Sequence, residues 1–199
     1  MAVHQRGLYL AGLVSGARHS IASMQRIAVI GCGGAGKTTL ANELGRRLCL
    51  PVLHIDGFYW QDRPGIGRVE STPDQWRRIH DEFISGERWV IDGMKLGVLQ
   101  ARLAAADTVV FLDLPAWHCL WGVLKRRLRF RGQMRPDIGV YDRINAQFIR
   151  WIWSFGRTAR PRVLELLDEC ACQVVVLRNR KHVREFVRTL PRNLASEAA

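Results

Sequence analysis

The stretch VIGCGGAGKTTLANELGRRL, residues 29–48, decides the fold. Gly31, four residues, then Gly36-Lys37-Thr38 fits G-x-x-x-x-G-K-[ST], the pattern of a phosphate-binding loop. Glycines at Gly31, Gly33, Gly34 and Gly36, with the small Ala35 among them, let successive backbone N–H groups converge on an anion. The helix that follows aims the positive end of its dipole at the same place. Lys37 is placed to bridge the β- and γ-phosphates of a nucleoside triphosphate, the Thr38 hydroxyl to complete a magnesium shell, and Thr39 is a second hydroxyl within reach. The flanks agree with this reading. Arg26 to Ile30 is a buried strand by composition, and Leu40, Leu44 and Leu48 recur at helical spacing beside Ala41. Cys32, at a free position of the pattern, reads as a small filler.

The same strand signal recurs at Val52–Ile55, Trp89–Ile91, Thr108–Leu112 and Gln173–Leu177, each separated from the next by enough residues for a helix. Five short apolar strands alternating with helices predict an α/β fold, a parallel sheet covered on both faces. Thr72 as N-cap, Pro73 at the first helical position and Gln75 three residues after the cap predict a helix from Pro73 to about Ile84. Trp117 to Arg127 reads as helix and Phe130 to Tyr141 as loop. Ile144, Phe148, Trp151, Ile152 and Phe155 mark the apolar face of another helix, and Val183, Phe186 and Val187 that of a last one. At 199 residues with 48% hydrophobic and 24% charged residues, one domain suffices and disorder is excluded as the dominant state. No apolar run approaches the length of a membrane span.

The ends and the cysteines carry less. Residues 1–24 are expected to be a disordered extension or an over-long reading of the gene, with Met24 as the start of the folded unit, and 191–199 a frayed tail. Five cysteines, an odd number without zinc spacing, predict reduced thiols in a cytoplasmic protein. Cys170 and Cys172 leave two readings open, a redox or metal pair or two buried thiols.

Open parallel sheets bind ligands at the carboxyl ends of their strands, and carboxylates sit there repeatedly. Asp56 ends the second strand, where it is either a magnesium ligand through water, a base that orients an acceptor hydroxyl, or a helix cap or loop carboxylate. His54 shares its face of the strand and reads as a packed histidine. Asp92 ends the third strand beside the phosphate loop, where a carboxylate held at the edge of a dry sheet suits magnesium. Asp113, at the end of the fourth, is a candidate of the same kind or a helix cap.

Net charge is +12 and is unevenly placed: residues 122–162 hold eleven Lys or Arg against Asp137 and Asp142. Three readings of the cluster from Lys125 to Arg131 are open. Arginines on a lid could close over the phosphates, the patch could follow a nucleic-acid backbone beside Phe130, Trp151 and Trp153, or it is a solvated basic face. A basic Trp-rich helix also suits anionic lipid.

Taken together, IAVIGCGGAGKTTLANELGRRLCLPVLHIDGFYW, RWVIDG, ADTVVFLDLPAWHCLWGVLKRRLRFRG and RWIWSFGRTARPRV resemble the adenylate-kinase-like P-loop proteins labelled DNA topology modulation proteins, within the nucleoside and nucleotide kinase group. The resemblance covers Arg26 to about Phe186. It implies a P-loop nucleotide-kinase fold over residues 25–190, with the five strands in the order 2-3-1-4-5 and an arginine-rich lid at about 126–141. It also implies ATP and magnesium as cofactors and a small-molecule phosphoryl acceptor between Asp56 and Arg88, near Arg68, Arg77 and Arg78. Carried over by position, the phosphate loop is Gly31 to Thr38, the second-strand carboxylate Asp56, and the lid arginines Arg126, Arg127 and Arg131. Adenine would lie near Arg178 to Lys181. Where members of that family commonly read Asp-Gly-Asn-Tyr, this chain has Asp92-Gly93-Met94-Lys95, so the acceptor is not transferable from relatives. The label suggests an effect on DNA, yet the residues contain no helix-turn-helix or zinc-finger motif.

Overall fold

The computed structural model describes residues 9–10, 24–63, 67–70, 72–130, 134–135, 140–141 and 144–191. Its frame comprises β1 (Tyr9–Leu10), β2 (Arg26–Gly31), α1 (Lys37–Leu48), β3 (Val52–His54), α2 (Ile55–Tyr59), β4 (Trp60–Arg63), β5 (Gly67–Glu70), α3 (Pro73–Ile84) and β6 (Trp89–Asp92). There follow α4 (Leu96–Ala105), β7 (Thr108–Leu112), α5 (Ala116–Phe130), β8 (Met134–Arg135), β9 (Val140–Tyr141), α6 (Ala146–Glu169), β10 (Gln173–Leu177) and α7 (Arg180–Thr189). The main sheet runs β3-β6-β2-β7-β10, every pair parallel, which is the order 2-3-1-4-5 of its five core strands. Strand β1, inside the segment expected to be an extension, adds in parallel to the outer edge of β10.

Period-two alternation divides the core between the two faces. Ile27 and Val29 of β2, with Val110 and Leu112 of β7, pack into one cluster with Leu40 and Leu44 of α1. Ala28 and Ile30, with Val109 and Phe111, pack into the other with Leu99 and Leu103 of α4. Helix α6 serves both: Ile152, Phe155 and Ala159 join the first cluster and Val163, Leu166 and Leu167 the second. Among the described residues no helix is long and apolar enough to cross a membrane.

Helix α3 begins as its capping residues dictate: the Thr72 hydroxyl accepts from the Gln75 N–H and the Gln75 side chain from the Thr72 N–H, both at 3.3 Å. Four further features depart from the sequence reading. The strand expected over Val52–Ile55 ends at His54, and Ile55 and Asp56 open α2 instead. An antiparallel hairpin, β4 with β5, fills part of the connection after Asp56. A short antiparallel ladder, β8 with β9, stands in the segment read as loop. The last departure is chemical: reduced thiols were expected overall, with a redox or metal pair left open at Cys170 and Cys172, and these two form a disulfide. Cys170 leaves α6 in an extended conformation, so side chains two residues apart turn to the same side, and their Cα atoms lie 5.4 Å apart.

Candidate functional site

The turn from β2 into α1 is built to leave backbone donors free. Gly36, the N-cap, sits at φ 98°, a left-handed conformation that disfavours side chains, and no side chain caps the helix. The first N–H groups of α1 therefore lack an intrahelical partner at the point where the dipole is positive. Lys37 is 8% exposed and its Nζ donates to the Cys32 carbonyl at 3.0 Å, folding the side chain back over its own loop. The buried Cys119 Sγ donates to the Leu114 carbonyl at 3.8 Å. The neighbouring Cys119 thiol, reinforced by burial, pushes the Cys32 thiol far up, while Cys32 and the nearby Lys37 and Arg180 charges hold Cys119 below the ordinary thiol value.

Parallel register brings the end of β6 beside the loop: Val29 stands opposite Asp92. The Thr38 hydroxyl donates to Asp92 Oδ2 at 2.9 Å. The other Asp92 oxygen takes a short hydrogen bond from His54 Nδ1, and His54 Nε2 faces Asn42 Oδ1 at 3.0 Å. Asp92, 3% exposed, thus joins the first turn of α1 to the end of β3. His54, read from sequence as a packed histidine, is part of this polar chain.

Asp56 is exposed in the first turn of α2. Its charge and that of Asp92 act on a residue sequence reasoning passed over, Arg102 of α4, which is fully buried. Arg102 Nη1 donates to the Gly93 carbonyl at 3.0 Å and Nε to His80 Nε2 at 3.5 Å, and Nη2 has no hydrogen-bond partner. Burial pulls its pKa down to about 10 against the attraction of Asp92 and Asp56. The available signal was local: Val98, Leu99, Arg102 and Leu103 share the buried face of α4, so a cation occupies an apolar register.

Of the remaining candidates, Thr39 is exposed, and Met94 packs against both core clusters. Lys95 lies 6.0 Å from the Trp76 ring centroid. Asp113 receives a bidentate pair from Arg160 of α6 at 2.7 and 2.9 Å, which raises the Arg160 pKa. Arg126 is half-buried and Arg127 exposed in the last turns of α5, while Arg131 lies outside the described residues. The side chain of Arg68 is likewise not among those described, and Arg77 and Arg78 are exposed on α3. After β10, Arg180 Nη1 donates to the Ala35 carbonyl at 3.0 Å, which sets the start of α7 against the phosphate loop.

The residues fit the groups their pattern implies. A glycine turn that leads into an uncapped helix N-terminus beside a buried ammonium suits a polyphosphate, and a hydroxyl backed by a carboxylate suits a hard cation held largely by phosphate oxygens.

No protein-family model matches the chain. It is 28% identical over 169 residues, 82% of this chain and 93% of the relative, to the uncharacterized protein YqaC of Bacillus subtilis strain 168. Among solved structures it is similar to shikimate kinase from Acinetobacter baumannii in complex with shikimate, at 18% identity and TM-score 0.53, over 84% of this chain and 91% of that one. Shikimate kinase from Bacteroides thetaiotaomicron matches at 21% identity and TM-score 0.47, over 83% and 95%. The architecture is the P-loop kinase fold, a five-stranded parallel sheet in the order 2-3-1-4-5 with helices around it.

Proposed function

We propose that the chain is an ATP- and magnesium-dependent phosphotransferase of the nucleoside and nucleotide kinase type, acting on a small-molecule acceptor. One observation carries the reading: the Thr38 hydroxyl is held on Asp92 Oδ2 at 2.9 Å, at the mouth of a loop whose Lys37 is buried. A glycine turn with a merely structural role would not need a threonine and a strand-end carboxylate aligned behind it.

In this reading the N–H groups of Gly34 and of Gly36 to Thr39 would bind the β- and γ-phosphates while the Ala35 N–H holds the turn on the Cys32 carbonyl, and Lys37 would exchange that carbonyl for phosphate oxygen. Thr38, oriented by Asp92, would hold the cation, with Asp56 in the first turn of α2 as a further candidate ligand. The cation, when bound, would draw negative charge off the transferring group. Asp56 orients the acceptor hydroxyl and takes its proton. Arg126, Arg127 and Arg131 steady the phosphoryl group, and Arg180 supports the loop from outside. Positioning and charge neutralisation supply most of the rate in such transfers.

The experiment is ATP consumption with magnesium by the purified protein and by Lys37→Ala, against nucleosides, nucleoside monophosphates, small phosphorylated metabolites and duplex DNA in separate wells. Stimulation by one small-molecule pool, lost at least about 100-fold in the variant, is the expected result. Stimulation by DNA alone would replace this reading with a nucleic-acid-associated ATPase.

A further inference from the structure

Helix α5 has an outer face that its fold does not use. Its inner face meets the core through Cys119 and Val123. On the opposite side Trp117, Trp121, Leu124 and Leu128 are 62%, 52%, 45% and 63% exposed. Their spacing, i, i+4, i+7 and i+11, gathers all four within roughly 60° of the helix circumference. Scattered surface apolar residues need no explanation, but four large ones aligned along one stripe do. Helix α6, packed alongside, leaves Ile149 and Trp153 exposed at 44% and 66%.

The charge that α5 and the facing part of α6 place around the stripe has one sign. Lys125 and Arg129 border it, the Lys125 ammonium lying 5.4 Å from the Trp121 ring centroid. Helix α5 holds no carboxylate, and α6 holds none before Glu165 while carrying Arg150 and Arg157 exposed.

We propose that the outer face of α5 docks on an anionic lipid bilayer, lying in its interface without crossing it. Tryptophan and leucine along a centre line with cations at the margin match what the boundary between acyl chains and charged headgroups offers. Two other occupants fit less well. A nucleic-acid platform needs cations along the backbone track and flat rings for the bases, yet Leu124 and Leu128 hold half of the centre line and have no ring to stack. A second copy meeting this face with its own would set cationic margin on cationic margin, with no carboxylate on either helix face to answer it.

The test is co-sedimentation of the full chain with vesicles of equal parts phosphatidylcholine and phosphatidylglycerol, and with phosphatidylcholine alone. The expected result is sedimentation with the anionic vesicles only, weakened at least about tenfold in Trp121→Ser/Leu128→Ser. Lys125→Gln/Arg129→Gln should weaken it as added salt does. Both variants change exposed residues, and thermal melting of each establishes that it is folded. The proposal is overturned if the wild type stays in the supernatant with anionic vesicles, if phosphatidylcholine alone serves equally, or if the folded apolar variant sediments unchanged. Two parallel measurements identify what would replace it. A single-stranded oligonucleotide bound through the stripe in place of vesicles points to nucleic acid, and a dimer in sedimentation equilibrium that the apolar variant dissolves points to a second copy.

Discussion

Gly34 and Gly122 meet backbone to backbone. A Cβ on Gly122 would come within 2.1 Å of the Gly34 carbonyl oxygen, and one on Gly34 within 2.2 Å of the Cys119 carbonyl oxygen. The phosphate loop and α5 thus approach as closely as two main chains can, and neither contact is with a flexible side chain that can move aside. Gly122→Ala should displace the loop or the helix. The expected outcome is an ATP affinity lowered by roughly tenfold or more, with about 1–3 kcal/mol lost in stability from overpacking. Calorimetric titration with ATP and thermal melting check both; unchanged affinity would mean that the contact yields without disturbing the loop.

Asp92→Asn keeps the shape of the side chain and removes its charge. The amide retains an oxygen for the Thr38 hydroxyl but meets His54 with a weaker acceptor, or with a donor if it is flipped. If Asp92 serves the cation, the magnesium concentration needed for half-maximal turnover should rise about tenfold while the fold persists. Steady-state turnover across a magnesium series measures this. An unchanged magnesium dependence would assign Asp92 to structure alone.

Residues that act locally were legible in the sequence, and those that act across the fold were not. The phosphate loop, the five strands and the Thr72–Gln75 capping box each depend on neighbours within a few positions, so spacing alone exposed them. Asp92 was legible because a strand's end is visible and the rule for open parallel sheets says what it faces. Arg102, Arg160 and Arg180 escaped because their partners, Gly93, Asp113 and Ala35, lie 9, 47 and 145 positions away. In a chain carrying 30 Lys and Arg, nothing local distinguishes Arg160 and Arg180 from solvated ones, whereas Arg102 stands in the apolar register of α4. Cysteine counting misled at Cys170 and Cys172 because an odd total argues about the whole set, whereas the extended backbone at Cys170, just past the end of α6, brings that pair together. The departure at Met94 was visible, but its packing into both core clusters was not.

His80 predicts a dependence of stability on pH. It is 1% exposed, and burial lowers its pKa from 6.5, with Arg102 adding repulsion and Asp81 opposing. Its Nε2 accepts from Arg102 Nε at 3.5 Å while Nδ1 lies 3.1 Å from Asp81 Oδ1, so a second ring proton would set one cation on another. Between the lowered folded pKa and 6.5 the unfolded chain binds more protons than the folded one, so stability rises with pH through that window. Above 6.5 the contribution is fully present, and it is lost as pH falls toward the folded value. Melting temperatures from pH 8 down to pH 5 should decline for the wild type below that point and decline less for His80→Gln, whose amide oxygen can still accept from Arg102. Parallel curves would show that His80 does not supply the slope.

Arg102 separates stability from activity. Its lowered pKa, about 10, means that burial costs the charge more than Asp92 and Asp56 return. A buried cation held at a net cost is typically replaceable by an apolar residue of similar length. Arg102→Met removes two hydrogen bonds, to the Gly93 carbonyl and to His80 Nε2, each worth about 1 kcal/mol, and with them the desolvation of the guanidinium. The net change in stability should therefore stay within about 1 kcal/mol of zero. Turnover should respond differently, because Arg102 grips the turn after Asp92 and its charge acts on both carboxylates assigned to the cation and the acceptor. The expected outcome is a loss of roughly tenfold or more in kcat/KM with a melting temperature near that of the wild type, and partial recovery in Arg102→Lys, which restores charge without the fork. Paired melting and steady-state measurements decide it: a large fall in melting temperature with kinetics intact would make Arg102 a structural residue and remove it from the site.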